Sequence, residues 1–340
     1  MIELLNNQLT FRFPEVHKKA ACSIDFQRTL RIPDDNREYP LPPGLGRLPV
    51  RHVDDFADNL PDTWRTHGGV FIPMYQSEAL WINFSGDYPC AVKIAAGKIN
   101  AVSGEPWSNG LSTDPQDYAV IPEQPWLDGF NVSEDFIRQF VAMPLGEGFT
   151  AEEQITGTAE HGGLQIIVYP MKHDVYVEHF ERSVKANMDY LDMPMFCRRV
   201  CESAAPDMGL APGGLIRQEI YKDEYGIDAW DQDNGFRCFI HLANSELYLA
   251  IAGHQPPHKP PHKPPHKPPT ANDYTSAGLP WFDYYSDSKV LAGSNTLGKL
   301  TSIAAKVIEK GKGVLPDNEP LHPKTVKIIS KGNVVRDGEF

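Results

Sequence analysis

The sequence predicts an α+β fold that is rich in β-strands, with an antiparallel β-sandwich core and two or three flanking helices. Short segments in which apolar and polar residues alternate recur along the chain, and this period of two is typical of half-buried strands. The chain contains 30 prolines and 27 glycines, and many of the prolines lie in short irregular stretches that favour turns between strands. Strands and helices do not alternate regularly, which argues against a parallel α/β sheet.

The first strand is predicted at residues 22–32. Its even-numbered side chains are apolar except for Arg28, whereas its odd-numbered side chains are mostly polar, so one face is expected to be buried. Turn-forming residues at 33–36 end this strand, and a proline-rich segment follows. A short amphipathic helix is then expected near residues 53–60.

Strand signals then predict six further strands. They lie at residues 70–72, 80–84, 90–94, 99–102, 136–143 and 164–169. The third and fourth of these form a hairpin, because Gly97 between them supplies the positive φ of a tight turn. Residues 208–214 are expected to form a loop, and residues 236–242 and 247–251 a second hairpin.

Helical periodicity appears at two places in the second half of the chain. Residues 177–191 have an apolar stripe at helical spacing, and residues 295–311 have another between two capping residues. A last hairpin is expected over residues 326–335. We therefore expect a β-rich main body over residues 1–253, and a helix-and-hairpin part over residues 270–340 that packs on it.

Residues 254–269 separate these two parts and repeat the unit Pro-Pro-His-Lys. Proline pairs lack N–H donors and fix φ, so this segment is expected to be an exposed, polyproline-like arm that the fold does not require. Histidines four residues apart in such an arm lie roughly 12 Å from one another, which is too far for them to chelate one metal ion. No metal site is therefore expected.

Charge and composition argue against several classes of partner. The chain of 340 residues has a formal net charge of −13, and an acidic surface repels the phosphates of nucleic acids and of membrane lipids. No stretch of about 18 apolar residues occurs, and the first residues lack the basic start and long apolar run of a signal peptide. The five cysteines are few and odd in number, which favours reduced thiols and a cytoplasmic location.

No standard catalytic motif occurs in the sequence, and the identity of any cofactor stays open. Polar residues lie instead in four aromatic, turn-rich stretches, at residues 124–130, 137–146, 217–221 and 278–285. Together with Pro212-Gly213-Gly214, these stretches resemble a family of bacterial-type hypothetical proteins. The resemblance covers roughly residues 20–305 and implies no activity, substrate or catalytic residue.

The first functional hypothesis is a binding or interaction protein, whose partner is a small molecule, a sugar or another protein. Aromatic and arginine side chains supply much of the binding energy at interfaces. The candidate contact residues are Trp126, Arg138, Gln139, Trp281, Tyr284 and Tyr285, with Arg217 as a second charged anchor.

The second hypothesis is an acid–base hydrolase or lyase without a familiar motif. Asp128 and Glu219 would be its carboxylates, and Arg217 or Lys172 would stabilise negative charge. This hypothesis requires Asp128, Glu219 and an arginine to converge in one pocket. The third hypothesis is a structural protein that assembles with itself, and whether the chain forms a homo-oligomer stays open.

Overall fold

The computed structural model describes residues 1–29, 31–32, 42, 44–133, 136–158, 160–181, 208–258 and 332–338. Its strands are β1 (Ile2–Leu5), β2 (Gln8–Arg12), β3 (Ala21–Thr29), β4 (Gly44–Arg47), β5 (Arg51–His52), β6 (Val70–Pro73), β7 (Ala79–Ser85), β8 (Cys90–Ala96), β9 (Ile99–Asn100), β10 (Ala119–Ile121), β11 (Trp126–Leu127), β12 (Gly129–Ser133), β13 (Phe136–Pro144), β14 (Leu164–Pro170), β15 (Met208–Arg217), β16 (Phe236–Ala243) and β17 (Val334–Val335). Its short α-helices are α1 (Asp62–His67), α2 (Ala151–Thr156), α3 (His173–Tyr176) and α4 (Ser245–Ala252). The remaining helical turns are the π-helical Val177–Glu181, which continues α3, and the 3₁₀ segments Asp54–Asn59, Ile227–Ala229 and Gln232–Asn234.

These elements confirm the β-rich α+β class. All strands of the described residues belong to one hydrogen-bonded sheet, so the two separate sheets of a sandwich are not confirmed. The sheet runs in antiparallel pairs from β1 through β2, β3, β7, β13, β15, β16, β14 and β8 to β10. Among the described strands, β6 and β16 form a parallel pair, in which Val70 lies opposite Ile240.

The sheet curls around one large core. The ring of Phe13, just after β2, stacks on that of Phe236 at the start of β16, with 5.2 Å between the centroids. Five strand pairings separate β2 from β16 along the sheet, so this contact requires the sheet to bend back on itself. The enclosed core contains side chains from β2, β3, β7, β8, β14 and β16. A second, smaller core packs α4 and the first 3₁₀ segment against Phe71 of β6.

Strand β3 confirms the first predicted strand and its apolar face. Cys22, Ile24 and Phe26 are fully buried, as the even-numbered face requires. The odd-numbered face is polar but partly covered, because Asp25 is buried beneath Arg47, whose Nη2 lies 3.0 Å from the carboxylate. The strand ends at its ninth residue, three positions earlier than predicted.

The strands predicted between residues 70 and 169 are confirmed as β6, β7, β8, β9, β13 and β14. The hairpin of β8 and β9 turns at Gly97, whose φ is +57°, as predicted. The short helix expected near residues 53–60 is the 3₁₀ segment that precedes α1, and Val53, Phe56 and Leu60 are buried there.

Residues 208–214 were predicted to form a loop, and this prediction is wrong, because they begin strand β15. The glycines allow close packing rather than a turn: a Cβ on Gly213 would lie only 2.6 Å from Cγ2 of Val141 on β13. Pro212 is tolerated because the register between β13 and β15 shifts beside it. Proline within a sheet is largely confined to such irregular places and to edges.

The strand predicted at residues 247–251 is also wrong, because these residues lie in helix α4. Asn244 caps the helix: its Oδ1 accepts a hydrogen bond from the backbone N–H of Leu247, 2.9 Å away. Tyr248 and Ile251 are then buried at helical spacing in the smaller core. The alternating apolar residues that predicted a strand are thus compatible with a capped helix.

Several predicted elements lie outside the described residues, namely most of the helix at residues 177–191, the helix at residues 295–311 and the first strand of the last hairpin. The second strand of that hairpin is β17, which pairs with β1. Of the arm predicted at residues 254–269, only the first five residues are described. Among these, Pro256 and His258 are buried rather than exposed.

The cysteines of the described residues, Cys22, Cys90 and Cys238, are free and buried, as predicted for reduced thiols. Burial raises the pKa of Cys90 well above its usual value, and a hydrogen bond with Cys22 adds to the effect. Cys197 and Cys201 lie outside the described residues. Within the described part of the chain, no helix has the length and apolar character needed to cross a membrane.

Candidate ligand-binding site

The sheet brings together three of the four aromatic stretches noted in the sequence, because β13 pairs with β12 and β15, and Gln218 joins the first stretch to the third. Its Oε1 accepts a hydrogen bond from the backbone N–H of Asp128, 3.0 Å away, and its Nε2 donates to the carbonyl of Trp126, 3.2 Å away. Burial raises the pKa of Asp128 to about 7, and a hydrogen bond from Trp126 opposes part of this shift. A carboxyl group of this kind can exchange a proton near neutral pH.

The other candidate catalytic residues do not share the surroundings of Asp128. Arg217 and Glu219 are exposed, whereas Gln218 between them is buried against Asp128. Lys172 is exposed at the start of α3. The pairing of Asp128 with Glu219 in one pocket stays a prediction.

The candidate ligand contacts on β13 are buried within the protein. Nη1 of Arg138 donates to the carbonyl of Gly213, 2.9 Å away, and Oε1 of Gln139 accepts from the N–H of Ile32, 3.0 Å away. Both contacts join segments that are distant in the chain and so stabilise the sheet. Trp126 is half-buried. The remaining candidate contacts, Trp281, Tyr284 and Tyr285, lie outside the described residues.

A separate pocket lies between α1, β14 and β16, and none of its residues was a candidate from the sequence. Its volume is about 90 Å³. Its lining includes Trp64, His67, His161, Gln165, Phe239 and His241. α1 supplies the first two, the turn before β14 and β14 itself supply the next two, and β16 supplies the last two. We refer to it as the histidine pocket.

The sequence His-Gly-Gly occurs twice, and each copy delivers one histidine to this pocket. The copies are residues 67–69, which lead into β6, and residues 161–163, which lead into β14. The second glycine of each copy has a positive φ, +83° in Gly69 and +82° in Gly163. A Cβ on these glycines would lie 2.1 Å and 2.4 Å from backbone carbonyl oxygens of β16. Glycine therefore lets both segments approach β16 closely, and the two histidine rings meet with 6.1 Å between their centroids.

His241 is held in one tautomer by its surroundings. Its Nε2 lies 2.9 Å from the carbonyl oxygen of Gly68, which can only accept, so Nε2 is the protonated nitrogen. Its ring stacks on Trp64, with 4.6 Å between the centroids. Burial lowers the pKa of His241 to about 4 and lowers the pKa of His161 as well. Both imidazoles are therefore largely neutral at pH 7.

Two buried side chains at the pocket have acceptor atoms without a hydrogen-bond partner among the described residues. Gln165 is 2% exposed; its Nε2 donates to the carbonyl of Gly97, 3.1 Å away, while its Oε1 has no such partner. Glu152 lies behind the wall formed by Gly97 and His161. Its Oε2 accepts from the N–H of His161, 3.2 Å away, and its Oε1 has no such partner. A buried polar atom without a partner costs about 1–3 kcal/mol, so a donor brought by a ligand would be stabilised there.

The charges around the histidine pocket are paired or neutralised. At the rim, Nζ of Lys98 lies 2.9 Å from Oε2 of Glu160, which also lies 3.5 Å from Nε2 of His161. Burial raises the pKa of Glu152 to about 7, so this carboxyl is partly protonated at neutral pH. The described residues contain no group of three or more histidine, cysteine or acidic side chains arranged to hold a metal ion. The described lining of the pocket thus carries little unpaired charge.

The comparisons with known proteins add no functional assignment. No protein-family model, no curated protein and no solved structure matches this chain. The resemblance noted from the aromatic stretches thus gains no support from them. The function of this protein has to be inferred from the geometry of its site.

Proposed function

We propose that this protein binds a small planar molecule with an N–H group, and that the histidine pocket is the binding site. The proposal depends on Gln165, a residue of the pocket lining whose buried Oε1 has no hydrogen-bond partner among the described residues. The N–H group of a ligand would satisfy this atom. The hypothesis of a binding protein is therefore kept, with a different set of contact residues.

The lining and size of the pocket support a single aromatic ring as the ligand. Trp64, His67, Phe239 and His241 present ring surfaces, and planar rings stack or meet edge-to-face with such side chains. The volume of about 90 Å³ is well below the roughly 300–1,000 Å³ of sites for drug-sized ligands. A five- or six-membered ring therefore fits better than a sugar chain or a peptide.

Pyrrole and furan provide a matched pair of probes, because they have similar planar rings and only pyrrole has an N–H group. We expect pyrrole to shift the side-chain NMR signals of His67, His161 and His241 with a Kd of about 1 mM or below, which corresponds to about −4 kcal/mol. Furan is expected to bind at least about tenfold more weakly, because it leaves Gln165 Oε1 without a donor.

Substitution of Gln165 tests the same contact from the protein side. In Gln165→Leu the preference for pyrrole over furan should disappear, whereas Gln8→Leu, on β2 and outside the pocket, should keep it. Equal binding of the two probes by the native protein, or shifts of histidines outside the pocket, would contradict the proposal.

A hydrolase or lyase is the second candidate, because the pKa of Asp128 is raised to about 7 by burial and its Oδ2 has no hydrogen-bond partner among the described residues. A series of p-nitrophenyl esters tests it. If Asp128 is a general acid or base, Asp128→Asn should reduce ester hydrolysis by about 100-fold or more. Hydrolysis equal to that of the native protein would remove this candidate.

We also propose a cytoplasmic location. The support is that the three described cysteines are unpaired, because disulfides are common in secreted proteins and rare in the cytosol. Labelling of the intact cell with a thiol reagent that does not cross membranes should leave this protein unmodified, and should modify it only after lysis and denaturation.

A further inference from the structure

The Pro-Pro-His part of the first Pro-Pro-His-Lys unit, which the structure describes, packs on the body of the protein. Pro256 is buried and His258 is only 5% exposed, although both lie in a segment whose composition predicts exposure. Proline-rich segments bury little apolar surface of their own. The burial of His258 therefore reflects specific contacts.

These contacts come from Tyr75 and Glu78, in the turn between β6 and β7. The hydroxyl of Tyr75 donates to the backbone carbonyl of His258, 3.0 Å away. The two rings meet edge-to-face, with 5.3 Å between the centroids and an interplanar angle of 89°. Nε2 of His258 lies 3.4 Å from Oε2 of Glu78. One contact thus recognises the backbone, and two recognise the imidazole.

Glu78 is held rigidly by groups other than the histidine. It is 1% exposed, its Oε1 lies 2.6 Å from Nε of Arg28 on β3, and its Oε2 accepts from the backbone N–H of Tyr75, 3.0 Å away. Burial by itself raises the pKa of Glu78, but the attraction of His258 and Arg28 outweighs it and keeps this pKa below its usual value. Buried carboxylates need such partners, and the imidazole of His258 adds to those that Arg28 and Tyr75 already supply.

The unit that fills this site is repeated in the sequence. Residues 256–259, 260–263 and 264–267 are three identical copies of Pro-Pro-His-Lys. A polyproline segment loses little conformational freedom on binding, and loop closure by four additional residues adds little entropy cost. Because the three copies are identical, the second and third have the same chemistry as the first.

We propose that Tyr75, Glu78 and Arg28 form a recognition site for a Pro-Pro-His unit, which the first unit of this chain fills and which the same unit in a separate peptide can also fill. The ligand class is a proline-rich segment with a histidine directly after a proline pair. This site is separate from the histidine pocket and does not depend on the function proposed for it.

A labelled peptide, Pro-Pro-His-Lys-Pro-Pro, tests the site directly. We expect it to bind the variant His258→Ala/His262→Ala/His266→Ala, in which no unit of the chain competes. It should bind the native protein at least about tenfold more weakly, because the tethered unit competes at an effective concentration of about millimolar. Tyr75→Phe in the triple variant should weaken binding about fivefold, through loss of one hydrogen bond.

The control peptide is Pro-Pro-Ala-Lys-Pro-Pro, which should not bind. Any of three results would overturn the proposal. The two peptides could bind with equal affinity, the labelled peptide could bind the native protein and the triple variant equally, or it could fail to bind a folded triple variant. The labelled peptide is followed by fluorescence anisotropy, and circular dichroism reports whether each variant is folded.

Thermal melting gives a second test that does not need the peptide. His258→Ala alone should shift the Tm by less than about 2 °C, because the next unit can take the place of the first. The triple variant should lose several degrees more. An unfolded triple variant beside a folded His258→Ala would also support exchange between units. Equal losses in the two variants, or loss of folding in both, would show that the units do not replace one another.

Discussion

Lys93 and Gln165 lie on the same face of one pair of strands, two positions apart, and yet their surroundings differ. In the ladder of β8 and β14, Lys93 is opposite Ile167 and Gln165 is opposite Ala95. Nζ of Lys93 lies 2.5 Å from Asp117 Oδ2, 2.5 Å from the carbonyl of Gly110 and 3.3 Å from Ser108 Oγ. Gln165 makes one side-chain hydrogen bond and leaves Oε1 without a partner among the described residues.

The difference between these two buried polar groups separates a structural role from a binding role. The Lys93 ammonium has three donors, and three oxygen atoms surround it. This end of the ladder therefore leaves no donor of Lys93 for a ligand. At the Gln165 end, Oε1 has no hydrogen-bond partner among the described residues, and Gln165 lines a pocket that also contains aromatic and imidazole rings. Changes at the Lys93 end should therefore reduce stability, and changes at the Gln165 end should reduce binding.

The largest effect is expected for Lys93→Met, which leaves the buried carboxylate of Asp117 without its ion pair. Removing one partner of a buried pair typically costs about 3–5 kcal/mol. Urea unfolding should show this loss, and Lys93→Met/Asp117→Asn should recover part of it, because no unpaired charge is left. A loss below about 1 kcal/mol for the single variant would show that the pair is not structural.

Gly163→Ala should cause the next largest loss of stability. This variant tests the backbone of the pocket rather than its polar groups. The added Cβ would lie 2.4 Å from the carbonyl oxygen of Ile240, at a φ of +82°. We expect a loss of about 2–4 kcal/mol in the free energy of unfolding.

The matched control is Gly157→Ala, where φ is +74° but nothing lies within 4 Å of the added Cβ. Only the conformational strain of about 1–2 kcal/mol applies there. Urea midpoints of the two variants measured side by side check the difference, and equal losses would mean that contact with β16 is not what requires Gly163.

Glu152→Gln should change how stability depends on pH. The pKa of Glu152 in the folded protein is raised to about 7, above its usual value of 4.5, so the folded state holds this proton more tightly than the unfolded state. The contribution to stability is therefore full below pH 4.5 and is lost as the pH rises through about 7. We expect Glu152→Gln to remove about 1–3 kcal/mol of this pH dependence, measured as urea midpoints at pH 5 and pH 8.

Asp128→Asn is the comparison for this experiment, because burial raises the pKa of Asp128 to about 7 as well, at a place outside the histidine pocket. Each single variant should flatten the profile in part, and the double variant should flatten it further. A native profile without any decrease between pH 5 and pH 8 would contradict the expectation for both carboxyl groups.

The smallest effect on stability is expected for Gln165→Leu. This change removes a buried acceptor without a partner among the described residues, which stabilises the protein, and one hydrogen bond to Gly97, whose loss destabilises it. The two contributions to the free energy of unfolding should cancel to within about 1 kcal/mol. Urea unfolding measures the change in free energy, with Lys93→Met as the reference. If Gln165→Leu is as destabilising as Lys93→Met, the distinction between the two ends of the ladder fails.

The sequence was sufficient where the signal was local. β3 alternates because its even-numbered face is buried, whereas β13 and β14 are buried along both faces and are recognised as short runs rich in apolar residues. β15 was missed because its glycines and proline serve close contact with β13, which lies some seventy residues earlier in the chain. α4 was missed although its cap, Asn244, is a local signal, because the apolar alternation was given more weight.

The candidate site was harder to predict than the fold. Asp128 and Glu219 were predicted as catalytic carboxylates, which stays a prediction; that Asp128 is buried and Glu219 exposed depends on packing that the local sequence pattern does not show. The histidine pocket combines segments that only the pairing of β6 and β14 with β16 brings together. The duplicated His-Gly-Gly sequence was the visible signal, and it gains meaning only once both copies are seen to precede strands beside β16.

The parallel pairing of β6 with β16 has a consequence for the order of folding. The hydrogen bond between His241 and Gly68 joins residues 173 positions apart in the chain. Contacts over such separations form late, because the entropy of closing a long loop is lost before the contacts compensate for it. We therefore expect the histidine pocket to be completed late in folding, after the antiparallel hairpins. A ligand bound there would stabilise contacts absent from the transition state, so it would slow unfolding without accelerating folding.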